Sequence, residues 1–132
     1  PEQYVEMAET ARECVHAGFR ILKPGIPVSD INKEIEGYLR KSRYGSQVVH
    51  SSGHSTGLNV TEYPNISDDC CEIVRPGMVF ALENGVYPYD LEKGAGTIWI
   101  SFRMEDEALV TGQGAEWLSG PGKALYTLGD FC

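Results

Sequence analysis

Basic residues are in short supply. Eleven Lys and Arg stand against 19 Asp and Glu, a formal net charge of −8 with a sequence pI near 4.8. Nucleic-acid binding needs a basic face that displaces counterions from phosphates, so no such partner is expected. No apolar run approaches the ~18–20 residues that cross a bilayer, so no membrane partner is expected either. The first residues are acidic and amphipathic rather than basic then apolar, so no secretory leader is read and a cytoplasmic location is expected. Cys14, Cys70, Cys71 and Cys132 show no C-x-x-C spacing. That speaks against zinc knuckles and redox pairs and leaves small reduced residues. Low-complexity tracts and fixed-period repeats are missing too. What remains is 132 residues, 42% apolar, enough for one domain with its own core.

Residues 2–22 carry Tyr4, Ala8, Ala11, Val15, Phe19 and Leu22 at three- and four-residue steps, which predicts an amphipathic helix. Glu2, Glu6, Glu9 and Glu13 precede Arg20, a polarity that suits the helix dipole. His16 lies beside this stripe and reads as a packed or solvated side chain. Lys23-Pro24-Gly25-Ile26-Pro27 turns the chain. Ser29 is the expected N-cap of a second helix, with Ile31, Ile35 and Leu39 on its apolar stripe, running to about Arg43.

From Gln47 the pattern becomes strand-like, with Val48, Val49, Leu58, Val60 and Ile66 as the apolar positions. Pro76-Gly77 predicts a type II turn before the run Met78–Glu83, and Asn84-Gly85 predicts another turn. Strands are expected over 97–102 and 108–111, then a turn at Gly112-Gln113-Gly114 into 115–118. Trp99 and Trp117 read as core or interface, Asp106 and Glu116 as surface, and the tail from Ser119 as irregular. Helices followed by antiparallel strands make the fold class α+β.

The chemistry concentrates in Val49–Pro64, V-H-S-S-G-H-S-T-G-L-N-V-T-E-Y-P. His50 and His54 lie there among Gly53 and Gly57, which let backbone and substrate approach closely. Glu83 and Glu105 fall at the ends of β-segments, where they either share a pocket with His54 or stand solvated. One imidazole with two carboxylates suits a borderline divalent ion such as Mn, Co, Zn or Fe.

Three ordered stretches carry a resemblance. They are G-H-S-T-G-L-N-V-T-E-Y-P, then R-P-G-M-V-F-A-L-E-N-G-V-Y-P, then R-M-E-D-E-A-L-V-T-G-Q-G-A-E-W-L-S. In order and spacing they resemble the pita-bread metallopeptidases: methionine aminopeptidases, Xaa-Pro aminopeptidases, prolidases and creatinases. The resemblance covers about residues 10–119 and implies a partial pita-bread fold, two helices packed on an antiparallel curved sheet. It implies that residues 1–132 are the C-terminal part of the catalytic domain. His54, Glu83 and Glu105 match metal ligands, Glu105 bridging two ions in the family's site, and Glu83 also takes the proton-transfer role. His50 matches a site-lining histidine of the Xaa-Pro branch and is placed with Glu83 as catalytic. Arg103 matches a buried arginine near the site and, with Thr61, is assigned to substrate binding.

Three departures qualify the match. The family's two aspartate ligands have no counterpart in this sequence. Its second histidine is Thr61, and its E-P-G is Glu83-Asn84-Gly85. Glu62 reads as structural or as a support behind the site residues. The implied activity is cleavage of short, proline-containing peptides by a metal-activated water, in a homodimer. The alternatives are a dimethylsulfoniopropionate lyase-like or creatinase-like activity, which Thr61 favours, and a metal-free remnant or binding domain, which the missing aspartates favour.

Overall fold

A computed structural model describes residues 2–45, 48–87 and 101–119. Two helices, α1 (Glu2–Ile21) and α2 (Val28–Lys41), precede five strands: β1 (Gly53–Ser55), β2 (Glu62–Asn65), β3 (Val79–Val86), β4 (Phe102–Val110) and β5 (Ala115–Trp117). The strands form one antiparallel sheet in the order β2-β1-β3-β4-β5. The α+β class expected from the sequence is the one observed.

Met7, Ala8, Ala11, Cys14, Val15, Ala17 and Gly18 bury one face of α1. That face meets β3, β4 and α2. Tyr4 and Phe19, expected inside this seam, sit half-buried at its edge, because the small side chains along the centre let α1 come in close. Gly18 shows how close: a Cβ there would lie 2.6 Å from Ile35 Cδ1. In α2, Val28, Ile31, Ile35 and Leu39 complete the core beneath α1. Phe80, Leu82, Val86, Ala108 and Val110 supply it from the sheet.

Ser29 is not the N-cap of α2. Pro27 holds that position, with no side-chain cap, and Ser29 is buried in the first turn. Here the chain itself satisfies the orphan donor, since Val28 N–H donates to the Glu72 carbonyl at 2.9 Å and Pro27 bridges Ile73. The Pro76-Gly77 turn is as expected, with Gly77 at φ +87° and Met78 N–H donating to the Arg75 carbonyl. Asn84-Gly85 is no turn, for both residues pair inside β3 with Met104 and Arg103.

Val48, Val49, Leu58 and Val60 lie in no strand, and Leu58 and Val60 are exposed. Only the short β1 and β2 form in that region. The expected break between residues 102 and 108 is filled by a continuous β4, whose side chains alternate between exposed Arg103, Glu105 and Glu107 and buried Asp106, Ala108 and Val110. The charge-rich run hid a strand with one wet face. Trp117 stacks on Phe19 at 3.9 Å, and His16 packs beside it. Trp99 and residues 120–132 lie outside the described residues.

Asp106, expected at the surface, is 7% exposed on the helix side of the sheet. Its Oδ1 accepts the Ser119 hydroxyl at 3.0 Å, while Oδ2 has no hydrogen-bond partner among the described residues. Desolvation raises its carboxyl above the ordinary 3.8, and the Ser119 hydrogen bond opposes that shift in part.

Two outcomes follow from this packing. Gly18→Val should lower stability by about 1–3 kcal/mol through overpacking against Ile35, read from the denaturation midpoint. Asp106 binds its proton more tightly folded than unfolded, so its contribution favours the fold at low pH and fades as pH rises through the folded value. Asp106→Asn should therefore match the parent near pH 4 and melt above it at about pH 7, in thermal melts across that range. Parallel curves would assign Asp106 an ordinary carboxyl.

Candidate metal centre

The register of the two central strands makes the site. Glu83 on β3 stands directly opposite Glu105 on β4, so both carboxylates leave the same face of the sheet. Two like charges in that position repel, and Arg103 offsets them. Its Nη1 donates to Glu83 Oε1 at 2.8 Å, and Nη2 lies 3.6 Å from Glu105 Oε2. Arg103 can lie flat here because its partner across the strands is Gly85, where any Cβ would collide with the Phe102 carbonyl. Expected to be buried, Arg103 is instead 56% exposed, since it stands on the open face of β4.

His54 reaches the pair from β1. The residue before it, Gly53, has φ +128°, and a side chain there would meet the Ala81 carbonyl. This close approach sets His54 opposite Ala81. The His54 Nδ1 lies 3.1 Å from the Ser55 carbonyl, which can only accept, so Nδ1 donates and Nε2 is the ring atom turned to the site. Nε2 faces Glu83 Oε2 at 3.8 Å. His54 and Glu83 are only 13% and 16% exposed.

One ligand atom from each of His54, Glu83 and Glu105 falls within 4.8 Å of the others. An imidazole oriented by a backbone carbonyl, with two carboxyl groups, fits a divalent ion of the Mn, Co, Zn or Fe(II) kind. The other assigned residues are placed differently. His50 stands outside that group, with Nε2 2.7 Å from the Tyr87 hydroxyl and Nδ1 2.7 Å from the Ser51 carbonyl. By the same logic Nδ1 donates, so the Tyr87 hydroxyl donates to Nε2. Thr61 is exposed in the loop before β2 and is not brought into the donor group. Glu62 accepts the Asn59 backbone N–H at 2.8 Å and closes that loop, a structural role.

Three participants were not legible in the sequence. Asn32 of α2 is buried and accepts the Ser52 N–H at 3.1 Å, while its amide donates to Asp68 Oδ1. The Ser52 carbonyl in turn accepts the Glu83 N–H at 3.0 Å, tying α2 to the donor strand. Tyr87 lies four residues past Glu83, and burial raises its hydroxyl pKa, with Arg103 opposing and Glu83 adding to that shift. Glu107 borders an open cavity of about 430 Å³, shared with Glu105, Val79 and the loop from Thr56 to Val60. The described cysteines take no part: Cys14, Cys70 and Cys71 are free, and burial pushes the Cys14 thiol up to about 12.

Known proteins resemble this chain in sequence and in fold. The chain is 32% identical over 120 residues to a Xaa-Pro dipeptidase of Lactobacillus helveticus, covering 91% of this chain and 30% of that one. An uncharacterized peptidase of Staphylococcus aureus strain MW2 is 32% identical over 114 residues, covering 86% and 30%. Among solved structures, the prolidase of Pyrococcus horikoshii aligns with a TM-score of 0.83 at 28% identity, covering 96% of this chain and 34% of that one. The prolidase of Thermococcus sibiricus aligns at 0.84 and 26%, covering 97% and 33%. The chain spans about a third of the length of the curated relatives it matches. The model of metallopeptidase family M24 matches residues 1–112, a span that includes both helices and all three donor residues. With prolidase folds as its structural neighbours, the chain belongs to metallopeptidase family M24.

Proposed function

We propose that His54, Glu83 and Glu105 hold a divalent metal in a hydrolase that cleaves short peptides of the Xaa-Pro type. The observation that carries this reading is the convergence of the three donors, with Nε2 of His54 turned towards Glu83. A bound divalent ion of this class lowers the pKa of water and polarises a carbonyl. Glu83 is the proton carrier: Arg103 anchors its Oε1 and leaves Oε2 facing His54. Arg103 also keeps Glu105 aligned and offers the substrate its exposed guanidinium edge. His50, locked by Ser51 and Tyr87, lines the approach, and Thr61 offers a hydroxyl from the adjoining loop. A small peptide as substrate, manganese as one candidate ion, a homodimer and a cytoplasmic location belong to the same proposal.

Thr61 favours a second reading, a lyase or amidine hydrolase on the same scaffold. It is distinguished by a failure to cleave any Xaa-Pro dipeptide despite bound metal.

The metal reading has a direct test. Saturating Mn, Co or Zn should raise the melting temperature, since about 2.7 kcal/mol accrues at a hundred-fold excess over Kd. His54→Ala should remove most of that rise, and elemental mass spectrometry should find the ion lost in parallel. No shift with any of the three ions would sink the proposal. In protein whose metal content matches the parent by elemental mass spectrometry, Glu83→Gln should cut turnover of a Xaa-Pro dipeptide by about 10²–10⁴-fold, and retained turnover would remove Glu83 from proton transfer.

A further inference from the structure

We infer that Glu107 is a specificity residue of this same site, selecting substrates that carry a cationic group. The inference rests on the peptidase reading and deepens it. The sheet register aligns His54 on β1, Ala81 on β3 and Glu107 on β4 as consecutive cross-strand partners. Their side chains therefore leave the same face, in the row next to Glu83 and Glu105. Ala81, between them, carries only a methyl group. Across β4 the charges are ordered, with Arg103 at one end, Glu105 in the middle and Glu107 at the other. Arg103 is committed to Glu83 and Glu105. Among the described residues no cation contacts the Glu107 carboxylate.

The backbone of Glu107 is pinned, which aims the side chain. Its N–H donates to the Ser119 hydroxyl at 2.7 Å, and its carbonyl accepts the Leu118 N–H at 2.8 Å. The side chain borders the 430 Å³ cavity with Glu105 on one side and the Leu58–Val60 loop on the other. That volume falls within the ~300–1,000 Å³ of small-ligand sites. Leu58 and Val60 are largely exposed there, where an aliphatic stem can cover them. An apolar wall ending in an unneutralised carboxylate matches an amphipathic cation: a carbon chain tipped by an ammonium or guanidinium. Two groups of a short peptide have that chemistry, a Lys or Arg side chain and the free amino terminus.

The test uses protein carrying Glu83→Gln, so that peptides are bound without turnover, and isothermal titration with Lys-Pro, Leu-Pro, N-acetyl-Lys-Pro and N-acetyl-Leu-Pro. The cationic peptides should bind about two- to five-fold tighter than N-acetyl-Leu-Pro, the range of an exposed ion pair. Adding Glu107→Gln should abolish that advantage and leave N-acetyl-Leu-Pro unchanged. An advantage kept by N-acetyl-Lys-Pro assigns the contact to the side chain, and one kept by Leu-Pro assigns it to the amino terminus. Equal affinity for all four peptides, or an advantage that survives Glu107→Gln, overturns the inference. So does an equal loss from Glu116→Gln, an exposed carboxylate outside the cavity, because the effect would then be the net negative charge acting at a distance. Failure of the metal reading is separate. A protein that binds no ion yet keeps the Glu107-dependent preference would retain this inference as peptide recognition and lose the hydrolase.

Discussion

Glu83 and Glu105 face one another across the two longest strands of the sheet, and much of the structure serves to make that tolerable. Carboxylates directly opposite in an antiparallel pair destabilise it unless a cation intervenes. Arg103 is one such cation, set two residues along the same strand so that its guanidinium reaches both. A divalent ion beside His54 is the other kind the geometry accepts. The remaining cost is borne by the opposite face, where Phe80, Leu82, Val86, Ala108 and Val110 enter the core under α1. The sheet thus divides its two faces between apolar packing and unlike-charge chemistry, through simple alternation along β3 and β4.

Close backbone approach is the second requirement. Gly53 brings β1 against the Ala81 carbonyl, and Gly85 brings β4 against β3 beside Arg103. Asn32 then links the first half of the chain to the donors, because Ser52 accepts support from α2 and passes it to the backbone of Glu83. A polar residue on a buried helix face is costly unless satisfied, and this one is satisfied at both ends of its amide. The helices therefore position the donor strand and do more than cover it.

What could be read from the sequence was whatever is local or periodic. The helical stripes, the Pro76-Gly77 turn, the Gly112–Gly114 turn and the motif carrying His54 each rest on a few neighbouring residues. The misreadings share one cause, a tertiary partner overriding a local signal. Asn84-Gly85 has turn chemistry, but β4 needs a glycine to pass, so the pair stays in a strand. Ser29 is a good cap by type, but the pairing of Pro27 and Val28 with the 72–73 segment starts the helix at Val28 and leaves Ser29 inside its first turn. Asp106 sits in a charged run, but the alternation of β4 sends it inwards, towards Ser119. Leu58 and Val60 look like strand residues, yet nothing among the described residues pairs with them. The candidate donors were singled out by the motifs, whereas the charge order Arg103, Glu105, Glu107 across one face became visible only with the register.

The two histidines show how little spacing alone determines. His50 and His54 are four residues apart, as metal-binding pairs on a helix often are, yet no helix spans them and Gly53 turns the chain between them. Both use the same local device, each Nδ1 donating to the carbonyl of the following serine. Both therefore leave Nε2 as the ring atom that meets the rest of the fold. The difference lies in what the fold brings to that nitrogen. At His54 it is the carboxylate of Glu83 at 3.8 Å, a partner for a cation, whether a proton on Nε2 or a metal ion between the two. At His50 it is the hydroxyl of Tyr87, a donor that satisfies the lone pair directly. One imidazole stands beside carboxylates and the other beside a hydroxyl, which is why His54 and not His50 falls within the candidate donor group.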